Sequence, residues 1–258
     1  MGQTRVKQDY CAAGLQYAEQ VVAGEIPACR WVRLACKRQI EDLAKPYGTA
    51  WPYKFDIERG NRICDFIQCL PHIKGRWKTK DVRLEPWQCF LLTTIFGWID
   101  DEGWRRYRTA LIVVPRKNGK TLLAAGVALY MLCADGEPGS EVYSAAVTRD
   151  QARLCWETAQ QMVKRDPAMQ AKYGIEALAH SIVIDGDGSV FKSLSRDADS
   201  LEGLGPHCAI VDEVHAVVAD RPLAAVRSKR VRRRLVVRDE VVSQERVDAA
   251  THESDAVR

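Results

Sequence analysis

The chain has 258 residues, 47% of them hydrophobic and 28% charged, with a formal net charge of +4. This length can bury a substantial core, and this composition excludes disorder of the whole chain. The positive charge is too small to establish a nucleic-acid partner by itself. No stretch approaches the roughly 18 apolar residues of a membrane span, so we expect a soluble intracellular protein.

The nine cysteines are irregularly spaced without a C-x-x-C pair, so we expect reduced thiols and no zinc site.

The beginning of the chain is predicted to be helical. Helical spacing of apolar residues recurs over three segments, residues 8–23, 27–45 and 57–70. In the second segment, Leu34, Ile40 and Leu43 form an apolar stripe. The irregular basic stretch LPHIKGRWKTKDVRLEPWQ follows the third segment and indicates a connector. We therefore predict a small helical region with a connector over residues 1–85.

From residue 87 onward, predicted helices alternate with apolar strands. The helices cover residues 87–98, 120–134 and 149–166, and the strands cover residues 108–114, 141–146 and 208–213. The stretch SIVIDGDGSVFKSL predicts a β-hairpin with its turn at DGDG. Alternating strands and helices predict an α/β fold with a mainly parallel sheet and flanking helices, over residues 86–219.

The stretch LIVVPRKNGKTLLAAG joins a predicted strand to a predicted helix. Gly119, Lys120 and Thr121 match the end of the phosphate-binding pattern G-x-x-x-x-G-K-[ST], but Val114 stands where its first glycine belongs. In such a P-loop, backbone N–H groups and the helix N-terminus converge on the phosphates. Lys120 then pairs with β- and γ-phosphate oxygens of ATP, and Thr121 places its hydroxyl on Mg²⁺. Because valine cannot take the backbone angles open to glycine, we expect a slightly different loop path, stiffened by Pro115.

A second element of a nucleotide site is predicted in CAIVDEVHA. An apolar strand runs directly into Asp212 and Glu213, which is the arrangement called Walker B. Asp212 would hold Mg²⁺, directly or through water, and Glu213 would orient and deprotonate the attacking water. The alternative is a pair of solvated acids at a strand end. The same residues also match the D-E-x-H pattern of helicases and related DNA translocases.

A third element lies in LEPWQCFLLTTIFGW, just before the strand of the P-loop. Gln88 follows an aromatic residue at the head of a predicted helix, where its amide can donate to and accept from the edge of adenine. The alternative is an ordinary polar residue in the first turn of an amphipathic helix. Only the neighbouring motifs favour the first interpretation.

Four segments, taken in order, resemble the large subunit of tailed-phage terminases. They are LPHIKGRWKTKDVRLEPWQ, VPRKNGKT, AAVTRDQARLCWETAQQMV and SLSRDADSLEGLGPHCAIVDEVHA, within about residues 50–217. The resemblance implies a P-loop NTPase-type fold and ATP hydrolysis that drives double-stranded DNA into procapsids, in the cytoplasm of a bacterial host. It also implies a portal and a small terminase subunit as partners, self-association into a ring and no membrane contact.

The resemblance also implies roles for individual residues. A basic residue early in the P-loop is expected to contact the γ-phosphate in cis, and Arg116 suits this role better than Lys117 because a guanidinium can contact two phosphate oxygens. Arg196 is a weaker candidate for a phosphate or neighbouring-subunit contact. The implied catalytic residues are Glu213 and Arg116, and the implied metal ligands are Thr121 and Asp212. The implied nucleotide-binding residues are Gln88, Arg116, Lys117, Asn118, Gly119, Lys120 and Thr121.

The last part of the chain departs from this family. After Ala219 neither a Thr-rich coupling motif nor the clustered acids of a nuclease follow, so we expect a truncated motor with no nuclease domain or nuclease activity. Residues 220–258 are predicted to be a basic, poorly ordered tail, and RSKRVRRR is either a DNA-binding segment or part of an out-of-frame ending. The alternatives for the whole chain are a D-E-x-H helicase or translocase, and a catalytically impaired fragment that binds DNA or partner subunits.

Overall fold

The computed structural model describes residues 8–73, 81–115, 117–146, 149–194, 205–211 and 235–240. These residues belong to two compact units. The described part of the first unit is residues 8–65 and 83–106. The described part of the second is residues 66–73, 81–82 and the described ranges from 107 to 240. Within the described ranges, no helix is long and apolar enough to cross a lipid bilayer.

The first unit is built mainly of helices. Its elements are α1 (Tyr10–Ala23), α2 (Arg30–Leu43), β1 (Lys54–Phe55), α3 (Ile57–Cys69, through Asp65), α4 (Pro86–Gly97) and β2 (Trp98–Ile99). The helix α1 packs against both α2 and α4. A Cβ at Gly14 would lie 2.8 Å from backbone atoms of Phe90, so glycine is what allows α1 and α4 to approach so closely. The three helices predicted over residues 8–70 are therefore confirmed.

The buried face of α2 differs from the predicted apolar stripe. Leu34 is 46% exposed, whereas Cys36, Gln39 and Asp42 are buried. Gln39 accepts a hydrogen bond of 2.8 Å from the indole N–H of Trp98. Including Leu34 in the buried stripe is therefore wrong. The buried side of α2 includes the polar residues Gln39 and Asp42, and a hydrophobic period does not register their contacts.

A buried ion pair fixes the end of α2 within the first unit. Asp42 is 2% exposed and accepts hydrogen bonds of 2.6 Å from both Arg106 and Lys45. The guanidinium carbon of Arg106 lies 4.4 Å from the ring centroid of Trp51 and 5.5 Å from that of Trp98, distances at which cation–π attraction operates. Burial disfavours the charged form of Asp42, but the hydrogen bonds from Lys45 and Arg106 outweigh it and lower the pKa of this carboxyl.

The second unit is an α/β structure around a seven-stranded sheet. Its elements, besides the end of α3 from Phe66, are β3 (Thr109–Val113), α5 (Lys120–Cys133), β4 (Glu141–Ala145), α6 (Arg149–Arg165), α7 (Pro167–Tyr173), β5 (Ile175–Ala177), β6 (Ile182–Ile184), β7 (Ser189–Leu194), β8 (Cys208–Val211) and β9 (Leu235–Glu240). The strand order is β3-β9-β8-β4-β7-β6-β5. The first five strands are parallel, and β6 and β5 add antiparallel pairs. The prediction of a mainly parallel sheet, with a hairpin over residues 181–194, is confirmed.

The strand β9 lies in a part of the chain for which no strand was expected. Residues 220–258 are predicted as a tail outside the core, but Leu235–Glu240 pairs with β3 on one side and β8 on the other. The range 235–240 is therefore a central strand and not part of a tail. The sequence signal is weak because only Leu235, Val236 and Val237 are apolar, and a charged triplet follows them.

The helix α5 and the strand β8 form the centre of the second unit. The ten residues from Leu123 to Leu132 are all buried, and the helix packs against α6 and the sheet. At the start of β8, the buried His207 ring nitrogen Nε2 lies 2.8 Å from a carboxylate oxygen of Asp135, just beyond the end of α5. The backbone N–H of His207 also donates to the carbonyl of Glu141. These contacts fix the start of β8 against the end of α5 and the first residue of β4.

The two outer strands of this sheet differ in length and exposure. The strand β5 has three residues. The strand β3 has five, and its side chains alternate between exposed and half-buried. Leu111 and Val113 of β3 are 60% and 45% exposed. All nine cysteines of the chain lie in the described ranges, where the structure has them as free thiols.

We expect Asp42→Asn to lower the free energy of unfolding by about 3 kcal/mol at neutral pH, because it leaves the Arg106 guanidinium partly buried without its countercharge. The folded-state pKa of Asp42 lies below its unfolded value, so this stabilisation is present above about pH 4 and is lost as the pH falls through the folded-state pKa. Urea unfolding followed by circular dichroism at pH 7 and pH 3 measures both effects.

The matched control is Asp56→Asn. Asp56 pairs with Arg59 at 3.6 Å, but the two side chains are 30% and 41% exposed. Asparagine keeps an oxygen that accepts the backbone N–H of Arg59, so we expect a loss below about 1 kcal/mol. Equal unfolding midpoints for Asp42→Asn and the unmodified chain at pH 7 would contradict the importance of the buried pair.

Candidate nucleotide-binding site

The predicted P-loop connects β3 to α5 in the second unit. The strand ends at Val113 and the helix begins at Lys120, so residues 114–119 form the loop. Arg116, in the middle of this loop, lies outside the described residues. The connection has the strand, loop and helix order that a phosphate-binding loop requires, because the strand holds the loop at the N-terminus of the helix.

Two residues of the loop have left-handed backbone angles. Gly119 is the N-cap of α5 with φ of 72°. Lys117 has φ of 68°, the one positive φ among the described non-glycine residues. Asn118 donates its side-chain amide to the carbonyl of Pro115 at 3.1 Å, which closes a tight local turn. The left-handed freedom that a standard P-loop has at its first glycine is absent at Val114, and the turns occur at Lys117 and Gly119 instead.

The N-terminus of α5 has no side-chain cap. Gly119 makes no capping hydrogen bond, because glycine has no side chain to accept one. The first N–H groups of a helix lack partners within the helix, and the helix dipole places partial positive charge beside them. Lys120 and Thr121, both half-buried, are the first two residues of the helix. This end of α5 therefore combines the chemistry that binds a phosphate group with a hydroxyl suited to Mg²⁺.

The sheet directs the end of β8 to the same edge as the P-loop. The strands β3, β9 and β8 are parallel, and the last residues of β3 and β8 are Val113 and Val211. One strand separates β3 from β8, so they lie about 10 Å apart across the sheet. The chain after Val211 continues into Asp212 and Glu213, the predicted Walker B acids, which lie outside the described residues.

Gln88 belongs to the first unit and takes part in a capping box at the start of α4. The Gln88 side-chain carbonyl accepts the backbone N–H of Glu85 at 2.9 Å, and the Glu85 side chain accepts the backbone N–H of Gln88. The Gln88 amide oxygen is thus engaged within the helix, while the amide nitrogen keeps its two donor hydrogens. The structure shows the role of an ordinary polar residue in the first helical turn, and recognition of adenine stays a prediction.

The thiol next to Gln88 contacts a second buried thiol. A hydrogen bond between Cys64 and Cys89, together with burial and nearby charges, raises the pKa of the Cys64 thiol. The same hydrogen bond lowers the pKa of Cys89. We therefore expect Cys64 to stay protonated and unreactive in the core of the first unit.

The structure brings the P-loop residues together but describes only part of the predicted site. Lys117, Asn118, Gly119, Lys120 and Thr121 lie in one loop and helix start. The sequence predicts Lys117 only as a basic residue of the loop, and the signal for its left-handed backbone is the turn-forming pair Asn118-Gly119 next to it. Four predicted functional features lie outside the described residues: Arg116, Arg196, the acids Asp212 and Glu213, and the segment RSKRVRRR.

Comparisons with known proteins identify similar sequences and folds. A profile of the family described as terminase large subunit, ATPase domain, matches residues 86–251. The terminase large subunit of Enterobacteria phage HK97 is 27% identical over 164 residues, which are 62% of this chain and 31% of that protein. The crystal structure of the HK97 large terminase has a TM-score of 0.60 at 23% identity, covering 76% of this chain and 42% of that one. The chain thus spans about a third of the curated relative, and the family match continues past residue 219.

The positive φ of Lys117 predicts backbone strain in the loop. A non-glycine residue in this conformation costs about 1–2 kcal/mol, and glycine relieves that cost while adding about 0.5–1 kcal/mol of chain entropy. We expect Lys117→Gly to be more stable than Lys117→Ala by about 0.5–1 kcal/mol in urea unfolding. Both variants remove the same charge, so the difference isolates the backbone. Equal or greater stability of Lys117→Ala would show that residue 117 is not strained.

Proposed function

Because the chain belongs to the terminase large subunit ATPase domain family, we propose that it hydrolyses ATP with Mg²⁺ as the motor portion of a phage DNA-packaging enzyme. One observation carries this proposal: Gly119, the N-cap of α5 in the loop after β3, offers no side chain to cap the helix, and Lys120 and Thr121 are its first two residues. A phosphate group is the ligand that such a helix start favours. The family match supports ATP as the source of that phosphate.

The P-loop residues bind and orient the triphosphate. Backbone N–H groups of the loop and of the first helical turn donate to phosphate oxygens. Lys120 supplies a positive charge toward the β- and γ-phosphates. The helix start is a rigid platform, because the rest of α5 is buried from Leu123 to Leu132. This rigidity keeps the donors in place as charge develops in the transition state.

The Thr121 hydroxyl and the Asp212 carboxylate are the residues that would hold Mg²⁺. Both are oxygen ligands, which Mg²⁺ prefers, and Thr121 is the second residue of the helix that follows β3 while Asp212 follows β8. When bound, Mg²⁺ neutralises charge on the β- and γ-phosphate oxygens.

Two further residues act in the chemical step. Glu213 accepts a proton from the attacking water while the water oxygen bonds to the γ-phosphorus and the bond to the bridging oxygen of ADP breaks. Arg116 contacts γ-phosphate oxygens and stabilises their charge in the transition state. The products are ADP and inorganic phosphate, and the proton leaves Glu213 to solvent.

The wider role of the motor follows from the family. We assign double-stranded DNA as the translocated substrate, with a portal, a small terminase subunit and further copies of the chain in a ring as partners. The chain aligns with 31% of the HK97 large subunit, and these whole-protein properties are carried over by family membership. Measuring ATP hydrolysis by the chain tests the ATPase part of this role, which is the part that the described residues support.

We expect the purified chain to release phosphate from ATP and Mg²⁺, and Lys120→Ala and Glu213→Gln each to lower turnover at least about 100-fold. Loss of one preorganised charge contact in an active site commonly has an effect of this size. Lys164→Ala is the control, because Lys164 is an exposed lysine in the last turn of α6. Circular dichroism verifies that each variant folds. Equal turnover in all four proteins would overturn the assignment of an ATPase.

Gln88 allows a separate test of adenine recognition. Gln88→Glu keeps a side-chain oxygen that can accept the backbone N–H of Glu85, but it removes the amide donors. We expect its ratio of kcat/KM for ATP over GTP to fall about tenfold, since one hydrogen bond to the base is lost. Melting of the helices by circular dichroism serves as the control. An unchanged ATP over GTP ratio would show that Gln88 acts only in the capping box of α4.

A further inference from the structure

The outward side of α2 combines positive charge with exposed apolar side chains. We call this surface the basic face of α2, and it consists of Arg30, Trp31, Arg33, Leu34, Lys37 and Arg38, all of them exposed. Trp31 is 72% exposed, the highest value among the large exposed hydrophobic residues of the described chain. Tryptophan and arginine are the side chains most enriched at interaction hot spots, so this face is a candidate interaction surface.

The exposed charges on this face are mostly positive. The four cations of α2 are Arg30, Arg33, Lys37 and Arg38. Among the fourteen described residues of the helix, Glu41 is the one exposed carboxylate, and it lies 3.7 Å from Lys37. Asp42, the other acid of α2, is buried. Four positive charges against one exposed negative charge suit a polyanion, whereas the apolar part is limited to Trp31 and Leu34.

The spacing of these cations suits the density of charge on a DNA duplex. Arg30 and Arg38 are eight residues apart, which corresponds to about 12 Å along a helix axis. A B-DNA duplex carries one negative charge per about 1.7 Å, or about seven phosphates over this length. Arg30, Arg33 and Lys37 repeat at three and four residues and so lie along one stripe of the helix.

Trp31 adds an amphipathic contact beside this stripe. The guanidinium carbon of Arg30 lies 5.7 Å from the centre of the Trp31 ring. Stacking on the ring restricts the arginine, so less freedom is lost when it binds a phosphate. The ring itself offers apolar area to the deoxyribose next to that phosphate.

The inner side of α2 holds the basic face rigidly. Cys36 belongs to an apolar cluster with Ala18, Val21 and Phe90. Gln39 and Asp42, farther along the inner side, are engaged by Trp98 and Arg106 in the contacts described above. A surface that is already ordered loses little conformational entropy on binding.

We propose that the basic face of α2 binds the phosphate backbone of double-stranded DNA without regard to sequence. The proposal rests on the proposed function in taking DNA as the partner, but it concerns a surface of the first unit that is separate in sequence from the P-loop. Arg30, Arg33 and Lys37 contact phosphates, and Trp31 packs against the sugar edge. No residue of this face reads a base, because phosphate contacts carry no sequence information.

The test measures binding of a fluorescein-labelled 30-bp duplex by anisotropy between 50 and 300 mM NaCl. We expect Arg33→Glu/Lys37→Glu to raise Kd at least about tenfold, and the slope of log K against log salt to fall in magnitude by about 2, since two phosphate contacts are lost. We expect Trp31→Ala to raise Kd about threefold to tenfold with an unchanged slope, because it removes no charge.

The matched control is Lys164→Glu/Lys172→Glu, which changes the net charge by the same amount at two exposed lysines of α6 and α7. We expect this control to leave Kd within about twofold. ATP turnover without DNA stays at the level of the unmodified chain in the α2 variants, so loss of DNA binding and loss of the proposed enzyme activity are distinguishable.

Three results would overturn the proposal: no measurable binding by the unmodified chain at 50 mM NaCl, an equal loss of affinity in the control, or unchanged affinity in Arg33→Glu/Lys37→Glu. If Arg33→Glu/Lys37→Glu keeps its affinity for DNA but sediments as a smaller species than the unmodified chain, the basic face is a protein interface. Variants are compared only after circular dichroism shows equal helix content, and Arg33→Lys/Lys37→Arg, which keeps both charges, should restore binding and the salt slope.

Discussion

The parallel pairing of β9 with β3 and β8 is the interaction on which the second unit depends. Among the described strands, β9 is the only hydrogen-bonded neighbour of β3, so it alone joins the strand that leads into the P-loop to the rest of the sheet. The same strand supplies the second neighbour of β8. The order of the strands then places the ends of β3 and β8 at one edge of the sheet, the edge at which the nucleotide site is proposed.

The parts of this fold that the sequence predicts are those that local chemistry specifies. An apolar strand, a glycine and a largely apolar helix can be recognised between Thr109 and Cys133 without knowledge of distant residues. By contrast, Leu235–Glu240 has three apolar residues followed by three charged ones, and its strand state depends on hydrogen bonds from two neighbours far away in the chain. The burial of Gln39 and Asp42 on α2 depends likewise on Trp98 and Arg106, which lie far from α2 in the sequence.

In the candidate site, too, the sequence predicts some features of single residues and not others. The motif specifies residue types, so Lys120 and Thr121 are predicted from the sequence as the residues for phosphate and Mg²⁺. The motif does not specify which residue has left-handed backbone angles. Lys117 has them, whereas Val114 occupies the position of the usual first glycine. The Gln88 side chain illustrates the converse, because its amide oxygen is already engaged by the backbone of Glu85 before any nucleotide is considered.

The unequal outer strands of the sheet have a consequence for how the protein behaves in concentrated solution. An edge of three residues, as at β5, gives a foreign strand little length on which to pair. The opposite edge at β3 is longer and exposes Leu111 and Val113. Among the described strands, pairing between copies is therefore expected at β3, and a charged residue at position 111 would oppose it without changing the loop that follows Val113.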